Sequence, residues 1–170
     1  MVKYELIVAM NQDGIIGITD SSGNQRLPFQ CREDMRHFRE TTMGHILVMG
    51  RKTFDSLPKR RPLPGRITVV LTRTPNPVKN DDSVYYSRLD NLEEVLNSLI
   101  LSSPRRIFIC GGEEIYRALL PRCERLHITH IQCPVELDKG ESTSRFSYLE
   151  TDFREVSIGN CVCRTLDRVT

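Results

Sequence analysis

The chain has 170 residues, of which 39% are hydrophobic and 27% charged, with a formal net charge of +2. That is about one domain with room for a proper core, in the composition range of soluble globular proteins. So small a net charge gives no reason to expect nucleic acid or an anionic membrane as partner. The apolar run Leu6–Met10 is too short for a signal-peptide core or a membrane span, so the expected location is cytoplasmic.

Strand-like runs fall at residues 3–10, 46–49, 67–71, 84–86, 106–110 and 125–131, with a closing hairpin over 153–166. Helical patterns fall between them, at 33–42, 53–57, 92–101 and 113–120. This alternation predicts an α/β fold: one domain spanning 1–170, with a mixed, mostly parallel sheet of about eight strands flanked by about four helices. Continuous apolar strands such as Ile46-Leu47-Val48-Met49 fit a sheet covered on both faces. Turn-rich stretches lie at 11–13, 20–24, 58–65, 75–82 and 138–144, none long enough to separate two domains. Ligands of such sheets gather beyond the carboxyl ends of the strands, so the loops after Met10, Met49, Leu71, Tyr86 and Cys110 are the informative ones.

The segment from Leu27 to Phe38 places two carboxylates side by side at a helix start, Glu33 and Asp34. At about 100° per residue, Met35, Phe38 and Thr42 form one face, with Asp34 at its border and Glu33 nearly opposite. Glu33 can pair with Arg36 in solvent. Asp34 has no obvious local cation and faces apolar side chains, which predicts a raised pKa and a proton-handling role. The alternative is a first-turn acid that merely complements the helix dipole.

Further along, the strand ending at Met49 runs into Gly50-Arg51-Lys52-Thr53 at a helix start, a junction suited to an anion. The strand at 67–71 ends, after Leu71, in Thr72-Arg73, and the next ends in Ser87-Arg88. A hydroxyl plus an arginine recurs at three strand ends, which points to a phosphate monoester such as the 2′-phosphate of NADPH. Cys110 leads into Gly111-Gly112-Glu113-Glu114-Ile115-Tyr116, a strand, paired glycines and a helix, which resembles a pyrophosphate cradle without the spaced-glycine fingerprint. Arg66, set by Pro62-Leu63-Pro64-Gly65 just before a strand, suits bidentate binding of a carboxylate. The basic run Lys59-Arg60-Arg61 lacks interleaved aromatics, so no nucleic-acid partner is expected.

The cysteines form no Cys-x-x-Cys pair; Cys31, Cys110, Cys123 and Cys133 are scattered, and Cys161 and Cys163 lie two apart. Free thiols are expected, and no metal site. His127 and His130, three apart on one strand, point to opposite faces.

Taken in order, these motifs resemble dihydrofolate reductase over nearly the whole chain. Val8-Ala9, Ile15-Ile16-Gly17, Leu27-Pro28, Asp34-Met35 and Phe38 are similar to its first third. The stretch 49–56, residues 61–66, the paired glycines with Tyr116, and Leu126-His127-Ile128-Thr129-His130-Ile131 follow its later motifs. The resemblance implies NADPH-dependent reduction of 7,8-dihydrofolate by a monomer that antifolate inhibitors would block. By position, Asp34 would hold the pterin edge and promote N5 protonation, and Thr129 would support that edge. Ile7, Val8, Met35, Phe38, Ser56, Leu57, Leu63 and Cys110 would line the substrate, and Arg66 would clamp its glutamate carboxylate. Ala9, Ile16, Gly17 and Tyr116 would surround the nicotinamide, with Tyr116 also reaching the substrate. Gly50, Arg51, Lys52, Thr53, Leu71, Thr72, Arg73, Ser87 and Arg88 would hold the rest of NADPH, with Cys110, Gly111, Gly112, Glu113, Glu114 and Ile115 at its pyrophosphate.

Three positions depart from the family pattern. Phe29 stands where Trp is usual, in the mobile loop over the site, and so removes an indole donor. Cys110 replaces Ile or Val, and Glu113 follows the glycines where a small residue is usual, with its carboxylate expected to point outward. A pyrimidine reductase of riboflavin synthesis is the alternative on the same fold, but it has no use for Asp34 or Arg66. A non-catalytic RNA-binding protein is a third reading.

Overall fold

The structure is a computed structural model that describes residues 2–74, 82–158 and 163–169. Strand β1 (Tyr4–Asn11) leads into β2 (Ile15–Thr19), β3 (Gln25–Arg26) and helix α1 (Arg32–Thr42). Strand β4 (Ile46–Gly50) runs without a break into α2 (Arg51–Asp55), followed by β5 (Ile67–Leu71), β6 (Val84–Ser87) and α3 (Leu92–Ser102). Then come β7 (Ile107–Ile109), α4 (Glu113–Leu119), β8 (Cys123–Ile131), β9 (Ser142–Arg145), β10 (Phe153–Ile158) and β11 (Cys163–Arg168).

Eight of these strands form one sheet in the order β10-β11-β8-β1-β7-β4-β5-β6. From β8 to β6 every pairing is parallel, and β11 alone runs against its neighbours. The central strands are apolar on both sides because both are covered. On one face Leu6, Val8, Val48, Ile109 and Ile128 pack with Leu96 of α3 and Leu119 of α4. On the other, Ile7, Leu47, Met49, Val70 and Phe108 pack with Phe54 of α2 and Phe38 of α1. Each such side chain contributes about 1.5–3 kcal/mol on burial. The parallel arrangement brings the carboxyl ends of β1, β4, β5, β6 and β7 to one edge, and α2 and α4 start there.

Beside the expected sheet lies a second one of three strands, β3-β2-β9. None of the three was expected from sequence; 20–24 and 138–144 read as turns. The strands are only two to five residues long, and β2 pairs with β9 across more than 120 residues. Pairing that distant leaves no local pattern to read. The turn expected at 75–81, the hairpin turn at 159–162 and Cys161 lie outside the described residues.

Asn11 ties the small sheet to the large one. Its Oδ1 accepts from the N–H groups of Asp13 (3.0 Å) and Ile15 (2.9 Å), while Nδ2 donates to the Cys133 carbonyl (3.2 Å). Gly14 closes the turn at φ +74°, where an added Cβ would stand 2.9 Å from the Phe146 carbonyl oxygen. Gly23 has a similar φ of +84° with nothing within 4 Å. Gly14→Ala is therefore expected to lose about 2 kcal/mol or more in urea unfolding, and Gly23→Ala about 1 kcal/mol. Equal losses would mean that the Phe146 contact carries no weight.

Candidate active site

Helix α1 presents Asp34, His37, Phe38, Thr41 and Thr42 to the sheet, and leaves Arg32, Glu33, Met35, Arg36, Arg39 and Glu40 in solvent. The buried face is centred between Asp34 and Phe38, about a quarter-turn from where the wheel placed it. Met35 is consequently 59% exposed, whereas Thr42 is fully buried. Asp34 is a central residue of this face and not a border one.

The two neighbouring carboxyls have opposite fates. Burial raises the pKa of Asp34, opposed by a hydrogen bond with Thr129 and by the charge of His37. Glu33 is fully exposed, and hydrogen bonds from its own backbone N–H and the Cys31 thiol lower its pKa. Thr129 is buried on β8, at the register position of Ala9 on β1, so Asp34 reaches the central strands through a single hydroxyl. A half-buried carboxyl whose pKa is raised by burial is a candidate proton handler.

Arg66 is 8% exposed. Its Nε donates to the Pro64 carbonyl (3.1 Å) and its Nη1 to the Thr42 hydroxyl (3.3 Å), which in turn donates to the Phe38 carbonyl. Burial lowers its pKa, and Arg39 adds to the effect. Among the described residues no carboxylate pairs with it, so a desolvated guanidinium keeps donors to spare. Phe38, Leu57, Leu63 and Cys110 are partly buried against the core of the sheet face that α1 covers. Burial holds the Cys110 thiol far above its ordinary pKa, which makes it inert.

At the carboxyl edge, Gly50 N–H donates to the Gly111 carbonyl (2.8 Å), which locks the β4–α2 junction to the start of α4. The Gly111–Gly112 peptide bond is cis. A Cβ on Gly112 would lie 3.3 Å from Thr53 Oγ1, and one on Gly50 would lie 3.1 Å from Ile115. Bare backbone is therefore required where α2 and α4 begin. Tyr116 is buried and donates to the Ile7 carbonyl (2.8 Å), which connects this cradle to β1. The Glu113 carboxylate accepts from Arg117 (2.7 Å) and from the Arg145 N–H (3.1 Å).

Beyond β5 and β6 a cleft is lined by Thr72, Thr74, Tyr86, Ser87, Arg88, Asn91 and Val95. Thr72, Ser87 and Arg88 of the expected anion site thus meet in one place, and Arg73 is exposed beside them. Arg51 differs from expectation in already having a partner, Asp55, at 3.1 Å. Ser56 is exposed and donates to the Thr53 carbonyl. Phe29 is 7% exposed, so the missing indole is replaced by a packed ring. Sequence reasoning read 11–13 as a turn but gave Asn11 no part in joining the two sheets. It also missed His37, which had been passed over in comparing the two acids.

A mostly parallel sheet with paired glycines, basic side chains and a half-buried acid along one edge defines an α/β enzyme suited to a nucleotide cofactor and a proton-requiring reaction. A family model for dihydrofolate reductase matches residues 3–158, and the chain belongs to that family. It is 36% identical over 148 residues to the type 9 dihydrofolate reductase of Escherichia coli, covering 86% of this chain and 80% of that protein. It is 37% identical over 143 residues to the dihydrofolate reductase of Mycobacterium tuberculosis strain H37Rv, covering 84% and 80%. Among solved structures it is similar to the dihydrofolate reductase of Enterococcus faecalis complexed with NADP(H) and RAB-propyl. That similarity has a TM-score of 0.74 and 25% identity over 99% of this chain and 97% of the other.

A buried cation without a counter-ion costs stability that a ligand would restore. Arg66→Met, of similar length, is expected to leave the ligand-free protein at least as stable as the wild type in urea unfolding. A loss beyond about 2 kcal/mol would show instead that the Pro64 and Thr42 hydrogen bonds are structural.

Proposed function

We propose that this protein reduces 7,8-dihydrofolate to 5,6,7,8-tetrahydrofolate with NADPH. The observation that carries the reading is a half-buried acid on α1 together with a buried arginine that is tied to the same helix through Thr42 and has no carboxylate partner among the described residues. Dihydrofolate is complementary to both. Its pterin ring offers an amidine edge to a carboxyl group, and its glutamate tail offers a carboxylate to a guanidinium.

The residues present fit NADPH. Gly50, Gly111 and Gly112 expose bare backbone beside Thr53 and the start of α4, as binding of a pyrophosphate by N–H groups needs, and Thr72, Ser87 and Arg88 line a cleft of suitable chemistry for the 2′-phosphate. When bound, NADPH supplies the hydride that adds to pterin C6. The protein's own residues do the rest. Asp34 binds the pterin edge, and its carboxyl, whose pKa burial raises, promotes protonation at N5. Thr129 fixes that carboxyl's orientation. Ile7, Phe38, Leu57 and Leu63 exclude water from the ring, with Met35 at the rim and Val8, whose side chain packs on the opposite sheet face, offering backbone alone, and Arg66 anchors the glutamate carboxylate. Ala9, Ile16, Gly17 and Tyr116 border the nicotinamide side. Lys52 and Arg73 add positive charge at the phosphate end, beside Leu71, Glu114 and Cys110.

Antifolates with a protonated amidine-like edge would compete at Asp34. We further read the chain as one domain acting as a cytoplasmic monomer; elution of a single species near 19.6 kDa in size-exclusion chromatography would support the monomer. Among the described residues no helix is long and apolar enough to cross a membrane. The pyrimidine-reductase alternative leaves both Asp34 and Arg66 without a ligand group to meet.

NADPH oxidation with dihydrofolate tests the reading. Asp34→Asn is expected to lose at least about 10²-fold at neutral pH, less at low pH where solvent can protonate the substrate, while Glu33→Gln stays near wild type. Equal behaviour of the two variants would refute the role of Asp34. Arg66→Ala is expected to weaken dihydrofolate binding by about ten- to a hundredfold and NADPH binding little. Arg73→Ala should do the reverse and erode the preference over NADH.

A further inference from the structure

Next to Asp34, on the same buried face of α1, lies a second polar contact with the sheet. His37 is half-buried three residues further on, and its ring centroid is 6.5 Å from that of His127 on β8. His127 is 7% exposed and stands two residues before Thr129, on the same face of the strand. Helix and strand therefore meet through two polar rungs, Asp34 with Thr129 and His37 with His127. Three residues of helix rise about 4.5 Å and two of strand about 6.6 Å, so the rungs stack as adjacent layers.

Behind His127 the network continues. Its Nε2 donates to Glu5 Oε2 (2.7 Å), which fixes the ring's tautomer and tilt. Arg106 grips the same carboxylate, its Nε donating to Oε1 at 2.7 Å. Burial opposes ionisation of Glu5, but the hydrogen bonds from His127 and Arg106 prevail and bring its pKa down to about 2. Glu5 is thus a permanent anion at neutral pH.

We infer that His37 and His127, anchored by Glu5, form an imidazole pair between helix and sheet that positions Asp34 and couples its proton to the charge on His37. The charged and titratable groups facing His37 are Asp34 and Glu40 on its own helix and His127 on β8. Glu5 on β1, Arg106 ahead of β7 and His45 after α1 complete the surroundings, and β11 sets the neutral Thr165 opposite His127. Burial lowers the pKa of His37, helped by His127 and opposed by Asp34 and Glu40. The pKa of Asp34 rises from its ordinary 3.8 while that of His37 falls from 6.5, so the two groups titrate toward each other. Linkage then requires that each shift the other's midpoint equally and oppositely. His37 is a positioning residue and touches no reacting atom.

The role rests on the function proposed above, but its test does not need turnover. Histidine and carboxyl titrations by NMR on the ligand-free protein are the primary readout. Asp34→Asn is expected to lower the His37 midpoint, and His37→Gln to raise the Asp34 midpoint by the same amount. His127→Gln keeps a donor for Glu5 but removes the imidazole 6.5 Å from the His37 ring, and is expected to raise the His37 midpoint. In turnover, His37→Gln should keep its activity to higher pH than wild type, with KM for dihydrofolate little changed. An unmoved His37 midpoint in Asp34→Asn overturns the coupling, and that variant decides the matter if His37→Gln does not fold. Titrations that shift as stated, in a wild-type protein that does not reduce dihydrofolate with NADPH, would leave the coupling standing and defeat the function.

Discussion

Helix α1 lies against strand β8 with a carboxyl group in the contact, and most of the site follows from that placement. The core beneath it is apolar on both sides of the sheet, so Asp34 meets little that can solvate an ion apart from the Thr129 hydroxyl. Burial that would be a liability in an ordinary core here keeps a proton within reach of the cleft. Phe38 and Thr42 on the same helix face hold it down, and Thr42 in turn receives Arg66. The acid and the arginine thus share one helix as their reference, which sets the span between the two ends of the cleft.

The anion-binding edge obeys a different constraint. Parallel strands deliver β4 and β7 side by side, and each turns at once into a helix. Two helix starts cannot approach so closely unless the residues at the junctions lack side chains, and Gly50 and Gly112 meet that need. Their neighbours supply hydroxyls and cations, with Thr53 on one side and Thr72, Ser87 and Arg88 across the sheet edge. Here geometry comes from backbone and charge comes from side chains.

Much of this was legible in the sequence because it is local. The alternation of apolar strands and amphipathic helices, the glycine junctions and the hydroxyl-arginine strand ends all sit within a few residues of one another. Selecting Asp34 over Glu33 also needed only helical spacing. What could not be read depends on distant partners. The β3-β2-β9 sheet is held by pairs such as Ile18 with Thr143, and two residues of β3 carry no period of their own. The wheel placed Met35 inward because it weighed hydrophobicity alone; the helix instead turned polar Asp34 and His37 inward, where Thr129 and His127 await them. Glu5 gave no hint either, since an isolated glutamate on a strand reads as solvated until Arg106 and His127 close on it.

The central claim is that burial against β8 raises the pKa of the Asp34 carboxyl above that of an ordinary aspartate. Carbon-13 NMR of the labelled Asp34 side-chain carboxyl, titrated in the ligand-free protein, measures this directly. The account predicts a midpoint clearly above 3.8, moving higher still in Thr129→Val. A midpoint at or below 3.8 would contradict it, because the acid would then be an ordinary surface carboxylate at neutral pH.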